Sequence, residues 1–263
     1  MFRLYLLTSA FPLFAASDPA LTKALDYLAR EVESWRPNNG CFSCHNNGDG
    51  ARALLAAGAA PESIKQTLEF LSNPDSWDPK PLARVQFASA LARTPNAKAL
   101  ARAAELIAAD QLADGHWKVD EESGPGAAAT YGPVLGTVVA MRLLTQADAA
   151  HYAEPIRRAR AWLESRKAEH PLDLAALVWE LQRPADITRL QAMQAPNGSW
   201  NSEAFDTAVA SLALGGNARA LAYLRKTQLA PGGWPGTTRP AGGASYAQHI
   251  STTAWVVLAL SEK

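Results

Sequence analysis

Both cysteines of the 263-residue chain lie in one five-residue stretch, Cys41-Phe42-Ser43-Cys44-His45. C-x-x-C-H is the spacing at which two thiols can add to the two vinyl groups of one porphyrin, with the next side chain lying under the ring. On this reading Cys41 and Cys44 tether a covalent haem c, and His45 is the proximal iron ligand. The same residues suit other chemistry. A Cys41–Cys44 disulfide or redox pair uses the thiols alone, although the βαβ pattern that usually accompanies such a pair is absent. Zinc would need a fourth N, S or O ligand from elsewhere in the chain. The remaining histidines, His116, His151, His170 and His249, are scattered and not paired at i, i+4.

The first seventeen residues, MFRLYLLTSAFPLFAAS, carry Arg3, then a short apolar run, then the small residues Ala15, Ala16 and Ser17. That is the layout of a secretory signal peptide, too short for a membrane span. The expectation is a leader over 1–17 and one exported domain over 18–263, periplasmic or extracellular. Attached haem and disulfides are both at home there. With 25 basic and 25 acidic side chains the chain has no net charge, so nothing in bulk attracts nucleic acid or an anionic membrane. The expected partners are a redox protein or a small apolar ligand, with no nucleic acid.

The elements that must position these groups read as helices almost throughout, in Ala- and Leu-rich segments broken by Gly, Pro and Asn, with no period-2 strand. Three stretches share one pattern: Gln111 to Trp117, Gln194 to Trp200 and Gln228 to Trp234 all fit Q-x-x-x-G-x-W. Each ends a charged helix and precedes a small, apolar one, so the unit is a helical hairpin. Looser copies raise the count to six hairpins, aligned on Leu28, Leu71, Ile107, Leu163, Leu190 and Leu224 at uneven intervals. No hairpin buries its own apolar face, so neighbours must stack, either as an open solenoid or as a ring. The apolar second helices predict an inner ring inside a charged outer one. In the joints, the glutamine is expected to satisfy helix-end groups, the glycine to take a positive φ, and the indole to wedge between hairpins.

These Q-x-x-x-G-x-W repeats, followed by helices such as Asp206-Thr207-Ala208-x-x-x-Leu212-Ala213-Leu214, resemble the squalene–hopene cyclase and prenyltransferase superfamily. The resemblance implies an all-α fold, an (α/α)6 toroid of six hairpins, closed or partly open. It implies little about activity. The cyclase acid motif D-x-D-D-T-A falls here on Glu203-Ala204-Phe205-Asp206-Thr207-Ala208. Phe205 stands where the proton donor would be, which removes protonation-initiated cyclisation as an expectation. The zinc set of the prenyltransferases includes a histidine, for which His249 is a match, and a cysteine, for which nothing follows Cys44. Nor is there the cysteine that a thioester of related toroids requires.

The reading is therefore an exported c-type haem protein on a toroid scaffold, serving electron transfer or redox sensing. The competing one is a toroid that binds or acts on a lipid, terpenoid or glycan, with a Cys41–Cys44 disulfide and no haem. His45 leads into the first inner helix and His249 into the sixth. If the ring closes, these joints meet, which makes His249 a candidate for the sixth iron ligand, beside His116, Met141 and Met193.

Overall fold

A computed structural model describes residues 18–60, 62–119, 130–237 and 245–261 of the chain. The leader expected over 1–17 lies outside the described residues. The described residues form twelve α-helices and no strand. The first helix, α1 (Pro19–Asn39), starts where its chemistry directs. Asp18 accepts from the Ala20 N–H at 3.0 Å, Pro19 occupies the first turn, and Gly40 ends the helix in the left-handed conformation at φ 71°, the residue best able to do so.

The chain then runs through a π-helical segment, Cys44–Gly50, directly into α2 (Ala51–Ala56). After these come α3 (Lys65–Leu71) and α4 (Pro81–Leu91), α5 (Ala97–Ala109) and α6 (Gly132–Asp148), α7 (Ala153–Glu164) and α8 (Pro171–Leu181). The last two pairs are α9 (Pro184–Ala192) with α10 (Ala204–Ala213) and α11 (Ala218–Lys226) with α12 (Tyr246–Ser261). The π-helical segment packs on α4, α4 on α6, and so on through α8, α10 and α12, which returns to the π-helical segment. The inner ring closes. All six alignment residues of the outer helices, from Leu28 to Leu224, are at most 1% exposed, as expected for the stripe each outer helix turns inward.

The joints show how the ring is held. In each full copy of the repeat the glutamine Nε2 donates twice: to a carbonyl within its own loop and to the start of the next outer helix. Gln111 reaches Pro155 O at 2.8 Å, Gln194 reaches the capping Asn217 at 2.9 Å, and Gln228 reaches Ala20 O at 2.8 Å. The last of these ties the end of the chain to its beginning. The tryptophans Trp117, Trp200 and Trp234 bury their rings and donate from Nε1 to Ile107, Leu190 and Leu224 carbonyls at 2.7–2.8 Å. Buried indoles keep a partner in this way.

Candidate functional site

The Cys41–His45 stretch sits where α1 gives way to the first inner element. Ser43 caps the π-helical segment, its Oγ accepting from the N–H groups of His45 and Asn46 at 3.2 and 3.4 Å. Asn47 folds back to accept from the Ser43 N–H at 2.9 Å. Its amide also donates to Thr67 Oγ1 at 2.9 Å. Asn46 donates to Glu31 O at 3.0 Å and to Tyr246 Oη at 2.8 Å. The turn is thus pinned to α1, α3 and α12. Wide π-type turns inside helical runs often mark functional sites. This one has a packing cause as well: a Cβ on Gly48 would meet Gln86 at 3.1 Å, and one on Gly50 would meet Val32 at 2.9 Å.

The turn lies between a cavity and a buried polar network, and His45 touches both. Outward, Phe42, Cys44 and His45 form part of the wall of a cavity of about 430 Å³, completed by Trp35, Phe87 and Tyr246. Trp35 stacks on Tyr246 with ring centroids 5.6 Å apart, and Phe42 stacks on Phe70 at 4.1 Å. Cys41 is exposed, one residue before Phe42. Cys44 is only partly covered as a residue, yet its thiol is buried, and that burial pushes its pKa up to about 12, with Asp49 and Asp78 adding to the effect. The thiol is therefore protonated at neutral pH and is not a reactive thiolate.

Inward, His45 is 3% exposed and enters a buried polar network. Its Nδ1 lies 2.9 Å from Ser251 Oγ on α12, and that hydroxyl donates to Asp49 Oδ2 at 2.6 Å. Since Ser251 gives its only hydrogen to the carboxylate, it accepts from His45. The network therefore assigns the proton to Nδ1 and leaves the lone pair on Nε2. Asp49 also accepts from Gln86 Nε2 at 2.7 Å and from Tyr131 Oη at 2.5 Å. Four inner elements meet at this one carboxyl group. Burial raises its pKa above the ordinary carboxylate range, against the opposing pull of the Ser251, Tyr131 and Gln86 hydrogen bonds. Burial also holds the Tyr131 hydroxyl well above its usual value, with the Asp49 charge adding to it.

Of the residues that sequence reasoning selected, Cys44 and His45 share one cavity wall, with Cys41 close by in the chain. His249 lies on α12. Its Nδ1 lies 3.1 Å from Trp234 O and 3.1 Å from Gly236 N, within the sixth joint. Ring closure does bring the two joints together, but the α12 residue that reaches His45 is Ser251. Positions i and i+2 lie on nearly opposite sides of a helix. Among the described residues no group of three or more His, Cys, Asp or Glu side chains is arranged to hold a metal ion. Phe205, at the place of the cyclase acid, is fully buried against Tyr131 and Trp255, with centroids 6.1 and 5.8 Å away. These rings fill the middle of the toroid. The residues missed from sequence are Asp49, Gln86 and Ser251. One signal pointed to Asp49: a lone acid between two glycines, Gly48 and Gly50, in an inner element whose counterparts are small and apolar.

Solved structures with the same fold include the type II terpene cyclase MstE from Scytonema without ligand, with a TM-score of 0.60 at 16% identity over 92% of this chain and 96% of that one. An arginine-to-alanine variant of the same cyclase, in complex with its substrate geranylgeranyl dihydroxybenzoate, gives a TM-score of 0.58 at 15% identity over the same shares. At such identities the likeness is one of fold, and the chain is an all-α toroid of the terpene-cyclase type. No family model matches the chain, and no curated protein matches it.

Proposed function

We propose that the chain is an exported c-type haem protein in which Cys41 and Cys44 tether the porphyrin and His45 binds iron, the toroid serving as its scaffold. The observation that carries this reading is the Asp49–Ser251–His45 chain of hydrogen bonds. Metal-bound histidines characteristically donate their second ring N–H to an oriented acceptor, which fixes the tautomer and raises the basicity of the other nitrogen. His45 has that arrangement on a cavity wall that it shares with Cys44 and with aromatic rings suited to a flat apolar group. A haem bound there supplies one-electron redox chemistry, which suits electron transfer or redox sensing. The residues of this chain hold, orient and partly desolvate it. The test is export of the full chain in a host with haem-attachment machinery, followed by intact mass and a denatured pyridine spectrum. A mass increase of one haem, lost in Cys41→Ala/Cys44→Ala, supports the proposal. Well-folded exported protein without haem overturns it.

A second reading draws on the same cavity. Its walls of Trp35, Phe42, Phe87 and Tyr246 and its size, within the range of small-molecule sites, suit an apolar ligand such as a polyprenyl chain on a terpene-cyclase-type scaffold. In this reading Cys41 and Cys44 serve at most as a disulfide. Haem-free protein whose melting temperature rises saturably with geranylgeraniol, and not in Phe87→Ala, would favour it.

A further inference from the structure

We propose that electron uptake at the haem site is coupled to proton uptake by Asp49, so that the protein exchanges one electron together with one proton. The inference rests on the haem reading above and extends it to what the site exchanges. Asp49 is 1% exposed and is joined to His45 through Ser251, by hydrogen bonds of 2.6 and 2.9 Å. Its ordinary explanation is that it is the acceptor on which Tyr131, Gln86 and Ser251 converge. An amide oxygen accepts from such donors without bringing a charge into the interior, where a charge is costly. The carboxyl group adds one property that an amide lacks, the capacity to take up a proton.

The groups around this carboxyl come from every element of the seam. Its own element brings His45 and Cys44, whose thiol feels the Asp49 charge. Arg52 on α2 acts on the Tyr131 hydroxyl of α6 with a sign opposite to that of Asp49. The π-helical segment meets neutral Gln86 on α4, neutral Ser251 on α12, and Val32 with the Glu31 and Val32 carbonyls on α1. With the site oxidised, the iron, Arg52 and the three donors all favour the carboxylate. Reduction removes one positive charge from these surroundings, and a dry interior screens that change far less than water does. The proton affinity of Asp49 therefore rises. One electron passes to the iron from a one-electron donor such as a partner redox protein, and one proton passes from solvent to Asp49. The carboxylate becomes a carboxylic acid, and no bond but that O–H is made. Tyr131 and Ser251 carry hydroxyls that both donate and accept, so either can receive the new hydrogen by turning. By linkage the proton favours the electron as much as the electron favours the proton.

The test is potentiometric titration, across a range of pH, of exported full-length protein already shown by its pyridine spectrum to contain haem. Protein without haem overturns the haem reading and this inference with it, whereas the outcomes that follow bear on the inference alone. The midpoint potential should fall as pH rises, across a window bounded by the pKa of Asp49 in the oxidised and in the reduced protein, and should be level on either side. In Asp49→Asn the potential should be level across that window. A pH-independent potential in the parent overturns the proposal, as does a slope that survives in Asp49→Asn, which would assign the proton to another group such as a haem propionate. Should Asp49→Asn fail to fold or to take up haem, redox-difference infrared spectra of the parent decide the matter. A protonated-carboxyl band gained on reduction, and displaced when the aspartate carboxyls are isotope-labelled, is expected. Its absence overturns the proposal.

Discussion

Asp49 carries more structure than any other side chain in the site, because three donors from separate inner elements converge on it. Replacing it by leucine would leave the Tyr131 hydroxyl, the Gln86 amide and the Ser251 hydroxyl without their acceptor in a dry interior. The expected loss is about 3 kcal/mol. Asparagine keeps one acceptor oxygen and the shape, so its cost at acidic pH is about 1 kcal/mol. The two proteins should also differ in pH dependence. The unfolded carboxyl titrates at about 3.9, and burial holds the folded one above that. Between the two values the folded state binds more protons, so stability falls as pH rises through that window and stays lower above it. Asp49→Asn has no such proton. Its stability should therefore gain on the parent as pH rises above the ordinary carboxylate range of about 3.9, as read by urea midpoints; a difference that shrinks with rising pH would refute the assignment. His249 makes a second residue-scale test. Its imidazole is engaged with the backbone of the sixth joint, so His249→Ala should lower the melting temperature while leaving the spectrum of the haem-loaded protein low- or high-spin as in the parent. A change of spin state would restore His249 as an iron ligand.

The joints make a test at the scale of elements, where a positive φ and a close approach can be separated. Gly198 has φ 93°, and a Cβ there would lie 2.4 Å from the Arg219 carbonyl oxygen of the next outer helix. Gly215 has φ 68° with nothing within 4 Å. Gly215→Ala should cost about 1 kcal/mol, the left-handed penalty alone. Gly198→Ala adds an overlap with backbone that cannot swing aside, so it should cost about 3 kcal/mol or more. Denaturant midpoints that rank the two equally would mean that the joint yields. This contrast also explains what could be read in advance. The glutamine, glycine and tryptophan of each joint make contacts that recur with the repeat, so their spacing alone marks both the hairpins and their stacking. The buried network cannot be read in that way. Asp49 lies 37 residues from Gln86, 82 from Tyr131 and 202 from Ser251, and these residues meet only once the ring has closed. The contacts of His249 could not be read in advance for a related reason. Closure brings the correct two joints together, but helix phase decides which α12 side chain faces inward, and that phase selects Ser251.

Closure is the property of the whole molecule on which the site depends, because His45 from the first hairpin is oriented by Ser251 from the sixth. The outer layer fastens the same seam. Gln228 donates to Ala20 O, Arg225 pairs with Asp18 at 2.8 Å, and Gly232 is packed so closely on α1 that a Cβ would lie 2.5 Å from Lys23 O. An open stack of hairpins has two end units with one neighbour each, and these fray before the middle because stability in such arrays is carried by nearest-neighbour interfaces. In a closed ring each inner element has two neighbours. Native-state hydrogen exchange distinguishes the two cases, since protection reports the free energy of the opening that exposes each amide. Amides of α2 and α12 should exchange as slowly as those of α6 and α8, through global unfolding. Gln228→Ala and Arg225→Ala together should convert the ring to array-like behaviour, with α12 and the π-helical turn exchanging first and any haem signal weakening in step. Fast exchange of α12 in the unaltered protein, with α6 still protected, would show that the seam opens independently and that the geometry at His45 does not depend on closure.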